Sequence, residues 1–505
     1  MHGKGAGIVC NDAPLPGTEK DPDQIRMDLA EPLIERALSS DGGEARAGTR
    51  ALFSQIIEPL GDSFLRKDMG LQRRVLARAM SRLRQIPRGR PFDLRLGQMG
   101  LRNEGDLLRR VSRLEKRKRF DPGTGGPVER ILVLSRVTLG ADILLTSPII
   151  ATMKATFPEA EIVFVGEEKN GLLLKDGTSR VRVRSVRYPR RGALLHRFLT
   201  WLDVSKTVER ETRGLPGGAR CVVVNPDSRF LQSGLLPLLT PREEAGSYFY
   251  WHPSIHDGIE GRMSQAASLC RWLQQSFGRE GEEGRIHPAL HLPAEDVAFA
   301  DEVFRVFGLE LCPYRVSMNL GVGGNPEKRI RSLSETVSRF EKNLVLRLLL
   351  DGVTLLLDKG AGEQESRQSD QLALAAREKG FEVVEVDSEA QRWRGIGPRP
   401  AQPLGPEPRL VTFKASIGKL GAMIQKSDLY IGYDSFGQHL AAALGRDVLS
   451  VFAGYSSTTF PLAWTPSGQG VIRLVKAGRG PFAPDRHEKL VDEVFDQYQV
   501  LRRKG

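Results

Sequence analysis

Between residues 128 and 226, short β-branched and aliphatic runs alternate with longer stretches whose apolar positions recur at helical spacing. The runs predict strands at Arg130–Ser135, Glu161–Gly166, Val181–Tyr188 and Arg220–Asn225; helices are expected near 142–156, 193–211 and, further on, 262–277. A second series predicts strands at Tyr314–Leu320, Val353–Leu357, Phe381–Val386, Leu429–Tyr433 and Val448–Phe452, with helices near 334–350, 364–379, 415–425 and 436–444. Strand and helix in strict alternation build parallel sheets, so the pattern reads as two α/β halves in tandem. Residues 394–408 hold five prolines and three glycines, too many for the interior of an element, and read as a surface loop inserted in the second half. The last stretch, Arg486–Arg503, reads as an amphipathic helix that could cross back to the first half.

Ahead of the linker Asp121–Pro127 the pattern differs. Leu71, Val75, Ala79, Met80, Leu83 and Ile86 recur at helical spacing, and Arg73, Arg74, Arg78, Arg82 and Arg84 fill the positions between them. The overall charge of +12 is concentrated here: residues 46–119 carry twenty Lys/Arg against seven Asp/Glu, whereas residues 1–45 carry four against nine. Three roles fit such a basic amphipathic helix: the charged outer face of a helical domain, a surface for anionic lipid headgroups, or a nucleic-acid patch. The aromatics in and just after the stretch are Phe53, Phe64, Phe92 and Phe120, and no nucleic-acid signature accompanies them, so nucleic acid is the least favoured partner. The expected organisation is an acidic, disordered tail over 1–45, a basic helical extension over 46–125, a first α/β domain over 126–312, a second over 313–485, and a terminal helix over 486–505.

At 505 residues with 40% hydrophobic and 27% charged positions, the composition is that of a globular protein. Asp142 interrupts the best candidate for a membrane span, Arg347 and Asp351 the next, and the acidic first thirty residues lack the apolar core of a secretory leader. The expected location is therefore cytoplasmic, with peripheral contact at the inner face of the cell membrane if the basic region binds lipid. Cys10, Cys221, Cys270 and Cys312 are too few and too scattered for a disulfide scaffold and read as free thiols. No His-Glu-x-x-His is present, and the sole Asp-x-Asp, Asp21-Pro-Asp23, lies far from any strand end, so no metal or other cofactor is expected. A Gly-x-Ser-x-Gly elbow is absent, which argues against a serine hydrolase.

Ligands of doubly wound sheets collect at the carboxyl ends of strands, and three segments fall there. Asp142 follows the first strand, where it can be a helix-start carboxylate favoured by the dipole or a general base for a sugar hydroxyl. The Gly-rich turn Asn319–Arg329, with Gly323 and Lys328, can be an ordinary loop or can bring backbone N–H groups and one cation to a phosphate. The segment Leu429–Gly445 ends a strand at Asp434 and opens a short helix bearing His439; a capped, packed helix and a diphosphate site with Ser435 and His439 as donors both fit it.

Taken together, Ile131–Ser135, Leu139–Pro148, Val222–Arg229, the Gly321–Arg329 loop, Asp358–Glu363 and Ser427–Gly454 resemble the ADP-heptose:lipopolysaccharide heptosyltransferase type of enzyme, glycosyltransferase family 9, over residues 128 to about 490. The resemblance implies two Rossmann-like domains facing across a cleft, the GT-B arrangement, with acceptor on the first and nucleotide sugar on the second. It implies Asp142 as the catalytic carboxylate and Gly323, Lys328, Glu363, Asp434, Ser435, Gly437 and His439 as donor-binding residues. The activity implied is inverting, metal-independent transfer of a heptose or related sugar to a lipopolysaccharide-type or other glycan or glycolipid acceptor; a catalytically silent nucleotide-sugar or glycan-binding protein is the alternative. Two departures stand out. Where the family has Leu-Gly-Asp this chain inserts Ala141, and where it has Asp-Thr-Gly or Asp-Ser-Gly this chain has Asp434-Ser-Phe436-Gly437.

Overall fold

The computed structural model describes residues 21–116, 118–175, 180–254, 263–278, 286–323, 325–331, 338–387, 392–394 and 407–504. Five parallel strands form the first sheet: β1 (Val128–Leu134), β2 (Glu161–Gly166), β3 (Val181–Ser185), β4 (Arg220–Asn225) and β5 (Tyr248–Tyr250). They run in the order β3-β2-β1-β4-β5. The second sheet holds β6 (Arg315–Asn319), β7 (Thr354–Asp358), β8 (Glu382–Asp387), β9 (Arg392–Arg394), β10 (Arg409–Lys414), β11 (Leu429–Tyr433), β12 (Asp447–Ala453) and β13 (Ile472–Gly478). Their order is β13-β12-β11-β6-β7-β10-β8-β9, parallel throughout except for β9 against β8. Central strands such as Ile131–Leu134 and Leu355–Leu357 are apolar on consecutive positions because helices cover both faces. The tandem α/β, GT-B-type reading of the sequence is thus the observed architecture. Strand order reverses between β1 and β4 in one sheet and between β6 and β11 in the other, which opens a crevice at the carboxyl ends of each.

The part of the chain before β1 is a helical layer on the first sheet rather than a separate appendage. Helices Pro22–Ala37, Gly42–Leu52, Arg66–Arg84, Arg90–Gln98 and Glu104–Leu114 share one core with the sheet, in which Phe92 meets Phe198 at 6.0 Å and Trp201 at 5.2 Å between ring centroids. The expectation of a disordered tail over 1–45 is corrected for the described residues: Asp21 and Asp41 cap helices, and Ala30, Ile34 and Ala37 are buried. Arginines of the basic helix are consumed internally. Arg73 meets Glu115, Arg74 Asp23, Arg78 Glu104 and Glu31, Arg82 Glu31, and Arg84 Asp93. Asp23 and Glu31 of the first helix, with Asp93, Glu104 and Glu115, therefore neutralise the basic face that the sequence displays.

The terminal helix Pro484–Arg502 does not cross back to the first half, which corrects that expectation. Leu490, Val491, Val494 and Tyr498 join the core of the second sheet, and Tyr498 OH donates to Asp351 at 2.6 Å. β5, β9, β10 and β13 are strands that the periodicity missed, while most of the proline-rich loop at 394–408 lies outside the described residues. No helix among the described residues is long and apolar enough to cross a membrane.

Candidate active site

The turn leaving β1 is tightly organised. Val137 has φ +77°, a value that β-branched residues rarely adopt, and its N–H donates to Ser135 Oγ at 2.8 Å. Asp142 lies just beyond and is buried, receiving Ser135 Oγ at 2.6 Å, Arg136 N at 2.6 Å, Thr146 Oγ1 at 2.8 Å and Asn170 Nδ2 at 2.7 Å. Burial pushes its carboxyl above the usual carboxylate range, although all four donors favour the charged form. The helix here widens to a π turn at Asp142–Thr146. A π turn accommodates one extra residue in a helical turn, and Asp142 faces the end of β1. Across the strand-order reversal, Arg136 Nη1 bonds Asp227 Oδ2 at 2.8 Å, closing the end of β4 against the end of β1.

The second sheet presents its own loops opposite. Lys328, in the turn Pro326–Lys328 after β6, donates to Asp434 at the end of β11, and its Nζ lies 5.2 Å above the centre of the Phe460 ring. Asp434 also accepts from Gln438 Nε2 at 2.8 Å. The helix Phe436–Ala443 starts there with Ser435 as its N-cap residue, and no side chain caps its first N–H groups. Ser435 Oγ and His439 Nδ1 are buried without a well-formed hydrogen bond. Burial pushes the His439 imidazole down to about 4, so the ring is neutral near pH 7. A helix start with unfilled N–H groups, two unfilled side-chain polar atoms and one lysine is an arrangement able to hold an anionic phosphate group.

Glycines allow these parts to approach. A Cβ on Gly437 would lie 2.1 Å from Tyr430 OH, and one on Gly140 would lie 3.1 Å from Phe436 Cα and from His439 Cδ2. The turn that carries Asp142 therefore packs directly on the start of the helix at 436, and the two crevices face one another. Gly323 adopts φ +62° in the loop after β6.

Lys328, Asp434, Ser435, Gly437 and His439 are thus brought together, with Gly323 in the same loop and Asp142 across the cleft. Glu363 is not among them: its side chain is exposed and pairs with Arg367 at 3.3 Å. Glu365, two positions later, is the one turned inward, beside Gly321, Gly360 and Asp358. Asp358 accepts from Asn319 Nδ2 at 2.5 Å and from Gly360 N at 3.1 Å, and burial pushes it up to about 6. Asn319, Asp358 and Gln438 were missed as site residues; their position at strand ends and helix starts was the available signal. Among the described residues no group of three His, Cys, Asp or Glu side chains is arranged to hold a metal ion.

Residues 367–480 match the model of glycosyltransferase family 9 (heptosyltransferase). Over this segment the chain is similar to that family, which supports glycosyltransferase activity. The matched segment contains Asp434–His439, whereas Lys328 and Asp142 precede it. No curated protein sequence matches the chain. Among solved structures, a family 9 glycosyl transferase from Veillonella parvula superposes with a TM-score of 0.51 at 14% identity, covering 75% of this chain and 98% of that one. The E. coli ADP-heptose lipopolysaccharide heptosyltransferase II gives a TM-score of 0.43 at 16% identity over 73% and 99% of the two chains. With the Veillonella structure the likeness is one of fold. The helical layer over 22–114 stands ahead of the matched segment.

Proposed function

We propose that this glycosyltransferase moves a heptose or related sugar from a nucleotide diphosphate donor to a lipopolysaccharide-type or other glycan acceptor, with inversion and without a metal ion. The observation that carries the reading is the junction at the cleft, where the uncapped helix start at 436, beside the Lys328–Asp434 pair, lies against the turn that leads to Asp142. The acceptor oxygen attacks the anomeric carbon, the bond from that carbon to the diphosphate oxygen breaks, and the hydroxyl proton passes to Asp142. For this, the acceptor hydroxyl takes the place of one of the four donors that now fill the Asp142 carboxylate. Lys328, Ser435 and the free N–H groups of the helix start receive the charge of the departing diphosphate. Neutral His439 adds a donor without competing for a proton at pH 7.

Binding of 46–119 to an anionic membrane surface draws little support from the helix Arg66–Arg84, because its arginines are paired. Release of nucleoside diphosphate from nucleotide-heptose and related donors, followed with and without EDTA, tests the reading. Release that persists in EDTA and depends on Lys328 is expected; no release from any nucleotide sugar, or release restored only by added magnesium or manganese, contradicts it.

A further inference from the structure

The helical layer contributes to the cleft directly. Its short helix Glu58–Asp62 ends in a strap, Ser63–Phe64, that reaches the second domain. Thr459 Oγ1 donates to the Ser63 carbonyl at 2.8 Å, and Phe64 is buried in a cluster with Phe452, Phe460 and Ala463. Phe64 holds φ +56°, a left-handed conformation uncommon for an aromatic residue and maintained here by its contacts. Phe460 is also the ring beneath Lys328, so strap and diphosphate lysine share one support.

Beside the strap, a cavity of about 120 Å³ lies between the helical layer, the first sheet and the second domain, lined among others by Asp62, Gln72, Arg136, Arg229, His252 and Trp464. Most of its polar groups are already bonded: Gln72 to the Ile57 carbonyl and to Ser233, and Arg136 to Asp227. Asp62 is different. It is half-buried, and no hydrogen bond or ion pair reaches its carboxylate from the described residues, although Lys328 and Arg229 are near enough to favour its charge. Burial outweighs both and pushes Asp62 up to about 6. Arg229 is exposed and has no hydrogen bond or ion pair from its guanidinium among the described residues. A free carboxylate and a free guanidinium in a cavity that Trp464 also lines suit a polyhydroxylated ring: hydroxyls donate to the carboxylate, ring oxygens accept from the guanidinium, and the indole offers an apolar face for C–H groups.

We propose that this cavity is the acceptor subsite, that its ligand is a saccharide, and that Asp62 of the helical layer binds the saccharide's hydroxyls beside the donor diphosphate. The inference rests on the glycosyl-transfer reading and adds to it a specificity-determining residue from outside the family-matched segment. Asp62 binds and orients the ring; Phe64 and Ser63 hold Asp62 in place.

The test is saturation-transfer NMR with methyl glycosides of glucose, mannose, galactose and heptose, with and without ADP, while calorimetry measures ADP affinity on the same samples. At least one glycoside should bind the wild type, its affinity should fall by about tenfold or more in Asp62→Ala and less in Asp62→Asn, and ADP affinity should stay within about threefold. Phe64→Ala should weaken the same glycoside by loosening the strap. No glycoside binding to the wild type, or equal affinity in wild type and Asp62→Ala, overturns the proposal. Failure of ADP to bind the wild type would instead overturn the donor-site reading, and the glycoside arm without ADP would still decide the role of Asp62.

Discussion

Lys328 donates to the carboxylate of Asp434, joining the loops that leave the adjacent strands β6 and β11. A diphosphate arriving at the helix start at 436 competes with Asp434 for this lysine and meets a like charge in doing so. Asp434→Asn removes that charge and keeps an oxygen for Gln438. Affinity for nucleoside diphosphates should rise several-fold in calorimetry; weaker binding would show that Asp434 itself holds the ligand.

Asp142→Asn keeps the size of the side chain and removes its proton acceptor. Turnover should fall by ~10²–10⁴ with donor affinity little changed. Asn170→Ala removes one of the four donors to the carboxylate and should raise the acid-side pKa of the kcat profile, because the charged form loses a hydrogen bond. Wild-type turnover in Asp142→Asn would discard it as the base.

The helical layer should be inseparable from the first domain. Arg110 is fully buried and its Nε donates to Glu244 at 2.8 Å, linking the helix Glu104–Leu114 to the residues just before β5. Arg110→Ala leaves Glu244 buried without its partner and should cost ~3–5 kcal/mol in urea unfolding. Deleting residues 1–114 should yield unfolded or insoluble protein. A soluble, cooperative truncated form would show that the layer is an appendage.

Asp358 and His439 should tilt stability in opposite directions. Asp358 is raised from 3.8 to about 6 in the folded chain, so the unfolded chain ionises first and stability is lost as pH rises from about 4 to about 6. His439 is lowered from 6.5 to about 4, so the unfolded chain protonates first and stability is lost as pH falls from about 6.5 to about 4. Each effect is at most roughly 3 kcal/mol at 1.36 kcal/mol per unit. In urea titrations from pH 4 to 7, Asp358→Asn should lose the decline towards pH 6 and His439→Gln the decline towards pH 4. Parallel pH profiles for wild type and both variants would contradict this.

The sequence carried the sheets and the grouping of Asp434, Ser435 and His439 because both are local. Strands such as Leu429–Tyr433 are continuous apolar runs, and Asp434, Ser435 and His439 follow one of them within a single turn, so their juxtaposition needs no knowledge of the rest of the fold. Lys328 joins them through strand order, since β6 and β11 become neighbours only when the sheet is wound. The pairing of the basic helix with the acidic first helix was invisible, because Arg82 and Glu31 are 51 positions apart and no periodicity links them. Asp62 gave no signal at all. Its place at the cleft depends on a contact between Ser63 and Thr459 across 396 positions. Glu363 stands apart from the other candidates because the first turn of a helix points successive side chains in different directions, and it is Glu365 that faces inward.

In the proposed donor site the nucleotide diphosphate sits between Lys328 and the helix start at 436. ADP and a nucleotide-heptose donor can be titrated calorimetrically into wild type and Lys328→Ala. Binding to the wild type should weaken by ~1.5–3 kcal/mol in the variant, with the folded state intact, as a lost charge-assisted contact requires. Equal affinity for wild type and Lys328→Ala would contradict it.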